Sequence, residues 1–221
     1  MSKKIILLSI DWYLPGTNSG GPVKSFSNLI DYFKDDFIFF IITRNHDYAS
    51  TNEYNNIESN KWIKRGKNLN IIYLTKEKVS VLNLLKIYKK INYDYFWING
   101  VYSFYFSILP LIFLKTQNKN AIISPRGMLN PQAFSVKSLR KKLFLLIAKH
   151  FNLFHNHKFH STNELEKKYI NNYIRNKNQI FIAPNIPTLV QNKNKRRFKT
   201  DNVIRLVSIA RISKEKGTLK L

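Results

Sequence analysis

Three loops place side chains that could bind or activate a ligand directly after short apolar runs. They are Asn99-Gly100, Ser124-Pro125-Arg126-Gly127-Met128 and Pro184-Asn185. If the apolar runs are parallel strands, their carboxyl ends meet at one edge of a sheet, which is where open α/β sheets bind ligands. Arg126 is the only charged residue of its loop. It is therefore either a ligand-binding group or a structural arginine paired with a backbone carbonyl.

A glycine-rich loop, residues 15–22, lies between the first apolar run and a helical pattern. Gly20 and Gly21 would let backbone N–H groups approach a ligand, and the N-terminus of the following helix attracts anions. The spacing matches neither the dinucleotide-binding fingerprint nor a P-loop. An ordinary turn is the alternative interpretation.

Two cations follow another apolar run near the end of the sequence. Arg211 and Lys216 come after residues 204–209. An arginine can bind two oxygens at once and a lysine supplies a point charge, so the pair suits a diphosphate.

Metal and thiol chemistry have little support in this sequence. It contains no cysteine and no Asp-x-Asp pair. His155 and His157 would share a face on a strand, with His160 close by, but no fourth ligand accompanies them. We therefore expect no metal site and no cofactor.

Apolar runs alternate with helical patterns along the chain, with a polar loop at 44–68 and a kink expected at Pro110. This alternation predicts a doubly wound, mostly parallel α/β sheet. Strands are predicted at residues 5–10, 37–42, 69–74, 95–98, 121–123, 158–160, 180–182 and 204–209, and helices at 23–33, 79–90, 101–114, 138–151 and 163–173, with the start of another at 217–221.

The charge is strongly positive, with 37 Lys and Arg against 13 Asp and Glu and a net charge of +24. An anionic membrane surface or a nucleic acid would attract such a chain. The third interpretation is codon bias, because Lys, Asn, Ile, Tyr and Phe all have AT-rich codons. A nucleic-acid partner would rest on charge alone, since no binding motif accompanies it, and we expect none.

The predicted helix 138–151 is amphipathic in sequence. It is either a core helix with a solvated basic face or a helix that lies on a membrane surface. Its basic residues are Arg140, Lys141, Lys142 and Lys149, and its apolar ones are Leu139, Leu143, Leu146 and Ile147.

In chain order, these loops resemble the family 4 retaining glycosyltransferases, especially the branch that builds bacterial surface polysaccharides. The resemblance runs over nearly the whole chain. The segments that show the resemblance are residues 11–15 followed by 20–25, and residues 43–47, 123–129, 160–166, 183–185, 209–211 and 216–217.

The resemblance implies a GT-B fold, in which two Rossmann-like domains enclose the active site. We expect an acceptor-side domain at 1–190, a linker at 191–202 and a truncated start of the nucleotide-sugar domain at 203–221. The implied activity transfers a sugar from a nucleotide sugar to a glycan or lipid-linked glycan acceptor, with retention of configuration. The family's paired-glutamate signature would fall beyond residue 221, so this chain alone is expected to be inactive. A module that only binds the acceptor or a membrane is the alternative.

The resemblance also assigns roles to individual residues. Gly20 and Gly21 would lie near the donor phosphates, and Arg211 and Lys216 would neutralise the departing diphosphate. Arg126, where many relatives have histidine, and Asp11 are the catalytic candidates, and Asp11 would bind an acceptor hydroxyl or cap a turn. Asn99 and Asn185 would belong to the acceptor-side loops.

The first apolar run, residues 5–10, is too short for a secretory core or a membrane span. We therefore expect a cytoplasmic location, with peripheral contact at the inner face of the plasma membrane.

Overall fold

A computed structural model describes residues 2–135, 138–174 and 179–188. In these ranges the chain forms one eight-stranded sheet in the order β3-β4-β2-β1-β5-β6-β7-β8. The strands are β1 Lys4–Ser9, β2 Phe37–Arg44, β3 Trp62–Arg65, β4 Leu69–Leu74, β5 Tyr95–Asn99, β6 Ala121–Ser124, β7 Lys158–Ser161 and β8 Ile180–Ile182.

Strand order reverses beside β1, which pairs in parallel with β2 on one side and β5 on the other. Apart from β3, every strand pairing in the described ranges is parallel. From β1 the chain adds β2 and β4 on one side of the sheet. It then crosses to the other side of β1 and adds β5, β6, β7 and β8 in order. This is the order of a Rossmann-like sheet, in which ligands bind at the reversal point.

Helices cover both faces of the sheet. In β1, Ile6 and Leu8 pack into a core that contains Phe26 of α1, while Leu7 packs into the opposite core beneath the other long helices. Right-handed crossovers require this division, because the connections run in opposite directions from β1. The helices are α1 Gly21–Phe33, α2 Val81–Lys90, α3 Leu109–Thr116, α4 Pro131–Ser135, α5 Ser138–His150 and α6 Glu164–Ile174. None of those in the described ranges is long and apolar enough to cross a membrane.

The seven strands predicted within the described ranges are all present, and the strand predicted at 204–209 lies outside those ranges. The polar loop predicted at 44–68 is wrong in part. It contains β3, which pairs antiparallel with β4 at the sheet edge. Ile63 is partly buried, Trp62 is 38% exposed, and Lys64 and Arg65 are exposed, so the sequence of β3 lacks a buried apolar run. Trp62 packs edge-on against Phe40 with ring centroids 5.2 Å apart, a contact that the local pattern does not predict.

The helix predicted at 101–114 begins later, and its first turn is π-helical. A π-helical turn, Phe104–Ile108, precedes α3, and Pro110 lies in the first turn of α3 rather than at a kink. Proline fits there because first-turn N–H groups have no partner within the helix. The Ser9 hydroxyl donates to the carbonyl of Phe106 at 2.9 Å and so ties the π-helical turn to β1. The short helix α4 was not predicted.

The metal hypothesis assumed that the histidines at 155 and 157 lie on a strand, and this is wrong. Both come before β7, and the two side chains separate: His155 is exposed and His157 is buried. The Nδ1 atom of His157 accepts a hydrogen bond from the backbone N–H of Ala121 at 3.0 Å, which fixes a neutral ring at the start of β6.

We predict that His157 makes the protein less stable in acid. Burial lowers its pKa from 6.5 to about 4. The contribution of the neutral ring to the free energy of unfolding is therefore complete above pH 6.5. It is lost as pH falls from 6.5 towards 4, because in this range the unfolded chain takes up the proton and the folded chain does not. The free energy of unfolding should fall by up to about 1.4 kcal/mol per pH unit from this group.

Urea unfolding at a series of pH values checks this. His157→Asn keeps an acceptor for Ala121 but cannot titrate, so its stability should depend less steeply on pH. His150→Asn, at the exposed end of α5, is the matched control. An equally steep dependence in His157→Asn would contradict the prediction.

Candidate functional site

The carboxyl edge of the sheet gathers most of the candidate residues of the described ranges. Asp11 follows β1, Asn99 ends β5, Arg126 follows β6 and Asn185 follows β8. The glycine loop joins β1 to α1 at the same edge, because a connection from a parallel strand must begin there. The sequence prediction that these loops meet at one edge is thus confirmed by the topology.

Asp11 lies beside the reversal point and is held by two partners. One carboxylate oxygen accepts a hydrogen bond from the Ser103 hydroxyl at 2.8 Å and an ion pair from Arg44 Nη2 at 3.4 Å. The Asp11 side chain is only 15% exposed. Burial raises the pKa of Asp11, although Ser103 and Arg44 act to lower it. A largely buried carboxylate held in this way suits the binding or deprotonation of a hydroxyl group.

Arg44 and Ser103 are functional candidates that the sequence did not reveal as partners of Asp11. Arg44 ends β2 and stacks on the Phe106 ring at 4.9 Å, while Ser103 caps the π-helical turn. They lie 33 and 92 residues from Asp11, so no local pattern joins them. The alternative that Asp11 only caps a turn fails, since its carboxylate binds side chains from two other segments.

Arg126 has a partly unsatisfied, buried guanidinium. Its Nη1 donates to Asn185 Oδ1, and its centre lies 4.5 Å from the ring of Phe26 on α1. Among the described residues, neither Nε nor Nη2 finds a hydrogen-bond partner, although both are buried. Burial lowers the pKa of Arg126 to about 10, opposed by the charge of Glu166. The group therefore remains cationic at neutral pH and retains donors for an acceptor.

The backbone at Arg126 is also unusual. Its φ of 54° lies in the left-handed region, which arginine rarely adopts. The other described non-glycine residues with positive φ are asparagines, apart from Ala49. Glu166 holds the turn in place by accepting from the N–H groups of Gly127 and Thr162, each at 2.7 Å. Such conformations are retained where the surroundings over-determine them, and they cluster at functional sites.

Asn185 connects the loop after β8 to α1. Its Oδ1 accepts from the Ser25 hydroxyl at 2.6 Å as well as from Arg126. Asn28 of α1 donates to the carbonyl of Ile186 at 2.8 Å. Asn185 therefore links Arg126 to α1, and its place in an acceptor-side loop stays a prediction.

A second network supports the same loop from within the sheet. Trp97 Nε1 donates to the Ser124 hydroxyl at 2.8 Å, and that hydroxyl lies 2.9 Å from His160 Nδ1. The opposite ring nitrogen, Nε2, lies 2.9 Å from the carbonyl of Ala183. Because a carbonyl oxygen can only accept, Nε2 is the donor of this contact. Burial, followed by the charge of Arg126, lowers the pKa of His160.

The glycine loop is ordered by an acid that the sequence did not single out. Asp47 accepts from the N–H groups of Thr17, Asn18 and Tyr48 at 2.9, 3.1 and 2.7 Å. Burial alone would raise the pKa of Asp47, but these N–H groups keep it below its ordinary value. Gly20 has a φ of 80°, and no side-chain hydrogen bond caps α1. A side-chain atom added at Gly20 or Gly21 would meet no described residue within 4 Å, so among the described residues nothing covers the start of α1.

Asn99 lies next to the reversal point, but its contacts are mainly structural. Its carbonyl accepts from Ser107, while its buried Oδ1 has no partner among the described residues. The neighbouring Gly100 has a φ of 85°, and a side chain there would come within 3.0 Å of Met128. Gly100 therefore allows the loops after β5 and β6 to pack together.

Two predicted donor-binding residues, Arg211 and Lys216, lie outside the described residues, as do the predicted linker and second domain. Within the described ranges, no group of three or more acidic or histidine side chains is gathered to hold a metal ion.

Comparison with known proteins adds no family assignment, because no family model and no curated protein matches this chain significantly. The chemistry of the site must therefore be argued from its geometry. The edge combines a desolvated cation that retains free N–H donors, an open helix N-terminus and a buried carboxylate. The first two favour an anion, and the third favours a hydroxyl group.

We predict that Arg126 costs stability in the absence of a ligand. Replacing it with methionine removes unsatisfied buried donors and keeps apolar contact with Phe26. Arg126→Met should therefore raise the free energy of unfolding by about 1 kcal/mol in urea titrations.

Arg44→Met is the contrasting variant. Arg44 also has a buried Nε without a partner in the described ranges, but its Nη2 pairs with Asp11. Its loss should destabilise the protein by about 2 kcal/mol, because it leaves a buried carboxylate without its cation. A large loss of stability in Arg126→Met would instead assign Arg126 a structural role.

Proposed function

We propose that this chain forms the acceptor-side domain of a retaining, nucleotide-sugar-dependent glycosyltransferase of GT-B type, similar to family 4. The observation that carries the proposal is the guanidinium of Arg126, which is buried, cationic and short of partners. It lies at the carboxyl edge of a Rossmann-like sheet, packed on the helix that the glycine loop opens.

Sugar transfer requires the two kinds of group that this edge supplies. The anomeric carbon loses its bond to a diphosphate oxygen and gains a bond to an acceptor hydroxyl oxygen, while the hydroxyl releases its proton. Negative charge grows on the departing diphosphate, and fixed cations and backbone N–H groups stabilise it. In our proposal Arg126 and the start of α1 at Gly20 and Gly21 act on that charge, together with Arg211 and Lys216.

Asp11 serves the acceptor in the same proposal. Its second carboxylate oxygen would accept a hydrogen bond from the attacking hydroxyl, and Ser103 and Arg44 fix the carboxylate for this purpose. Desolvation makes it a stronger base than an exposed aspartate. The acceptor would be a glycan or a lipid-linked glycan, and the reaction would belong to surface-polysaccharide synthesis on the cytoplasmic side of the membrane. No metal or other cofactor enters the proposal.

The test is transfer from a panel of nucleotide sugars, measured as released nucleoside diphosphate, with the longest chain that the gene encodes. We expect Arg126→Ala to lower kcat by about 100-fold, because the charge it meets develops in the transition state. Arg211→Ala and Lys216→Ala should also act mainly on kcat. Asp11→Asn should lower it by at least about 100-fold if the carboxylate takes up the acceptor proton.

Arg65→Ala is the matched control, because Arg65 is an exposed arginine on β3 at the far edge of the sheet. It should leave transfer unchanged. The 221-residue chain by itself should show no turnover. Turnover by that chain would contradict the assignment of the sugar donor to a second domain, and full activity of Arg126→Ala would contradict the role of Arg126.

A further inference from the structure

The surface of α5 carries a stripe of exposed apolar side chains. Leu139, Leu143 and Leu146 are 81%, 59% and 65% exposed, and Ile147 and Phe151 are exposed as well. Of the two sequence interpretations of this helix, the one that places these leucines in the core is wrong. The buried side of α5 is formed by Leu145 and Ala148, with Phe144 partly buried beside them.

The stripe occupies one continuous face of the helix. At 3.6 residues per turn, positions 139, 143, 146 and 147 fall on one side, opposite Leu145 and Ala148. Monomeric proteins rarely expose contiguous apolar surface of this kind unless it binds something.

A groove between α3 and α5 extends the stripe. It has a volume of about 690 Å³ and is lined by Ile108, Ile112, Phe144, Ile147 and Phe151, among others. Ile112 of α3 is itself 44% exposed. The apolar surface therefore spans two helices on the outer side of the sheet.

Basic residues flank the stripe, and the stretch of sequence that carries it contains no acidic residue. On the helix, Arg140 falls on one side of the leucines, and Lys142 and Lys149 fall on the other. All three are exposed. Residues 95–163 contain nine Lys and Arg and no Asp or Glu. Long basic side chains beside an apolar face can extend to anionic headgroups while leucines enter the acyl region.

We propose that α5 and the α3–α5 groove dock the protein on an anionic lipid bilayer. A second copy of this chain fits less well, because the basic flanks would repel each other. A protein partner also fits less well, since binding hot spots favour Trp, Tyr and Arg over Leu, and interfaces are poor in Lys. The proposal does not depend on the glycosyltransferase function.

Sedimentation of the 221-residue chain with vesicles tests this. Equimolar phosphatidylglycerol and phosphatidylcholine should retain the protein, and phosphatidylcholine alone should retain far less. The L139Q/L143Q/L146Q variant should bind the anionic vesicles at least about tenfold more weakly, because each leucine loses its transfer from water. Each of R140Q, K142Q and K149Q should weaken binding about fivefold, and added salt should do the same for the wild type.

The matched controls lie on α2. Leu82 is 74% exposed, and Lys89 and Lys90 are exposed at the helix end. L82Q and K89Q/K90Q should bind vesicles as the wild type does, and thermal melting should show that all variants remain folded. Hydrogen exchange of the wild type gives an independent readout, in which vesicles should protect the amides of α5 and leave those of α2 unchanged.

Three results would overturn the proposal. One is equal vesicle binding by the wild type and the leucine variant, which would mean that the basic residues alone bind the vesicles and the leucines contribute nothing. Another is unchanged exchange in α5 when vesicles bind. The third is a wild-type dimer in sedimentation analysis without lipid that the leucine variant abolishes, which would make a second copy the occupant.

Discussion

The reversal of strand order beside β1 is the constraint on which the rest of this structure depends. Because β1 pairs in parallel with both β2 and β5, the connections that leave β1 and β5 separate to opposite faces of the sheet. The backbone cannot fill the crevice that remains between them. Asp11 is placed beside this crevice by β1, and Gly100 by β5, where it allows the next loop to approach. The candidate site thus follows from topology before any side chain is considered.

Hydrogen bonds then determine which groups at this edge remain available. Most polar side chains of this network have hydrogen-bond partners in the neighbouring segments, and these bonds fix the loops after β6 and β8. The residues are Ser124, His160, Glu166 and Asn185. Within the described ranges Arg126 has two of its three guanidinium nitrogens buried without partners, whereas Arg44 and Asn99 at the same edge each leave one buried polar atom unpaired. A buried donor without an acceptor costs free energy, so the surrounding network maintains a group that stability alone would not favour. The same tension between stability and activity is common at active sites.

The sequence predicted the sheet well because its strands are short, continuous apolar runs covered on both faces. It also placed Asp11, Asn99, Arg126 and Asn185 at strand ends. It could not predict that Arg44 and Ser103 bind Asp11, or that Ser25 binds Asn185, because these pairs are far apart along the chain. The edge strand β3 was missed for lack of a buried run. The sequence left open whether the leucines of α5 belong to the core, because helical periodicity shows that apolar residues share a face, but not whether that face meets protein or solvent. Since α5 returns from the carboxyl edge of the sheet, the Leu139 end of the stripe is the end nearest the candidate site.

The central claim is that Arg126 is an anion-binding group at this edge. It is tested most directly by the NMR signal of the Arg126 Nε–H group during titration with inorganic pyrophosphate. A bound anion should shift this signal in a saturable way, while the corresponding signal of the exposed Arg65 should not saturate. The Asn185→Ala variant, which removes the group that orients Arg126, should weaken the response. An Arg126 signal that does not move at saturating pyrophosphate, or that moves only in parallel with Arg65, would contradict the account.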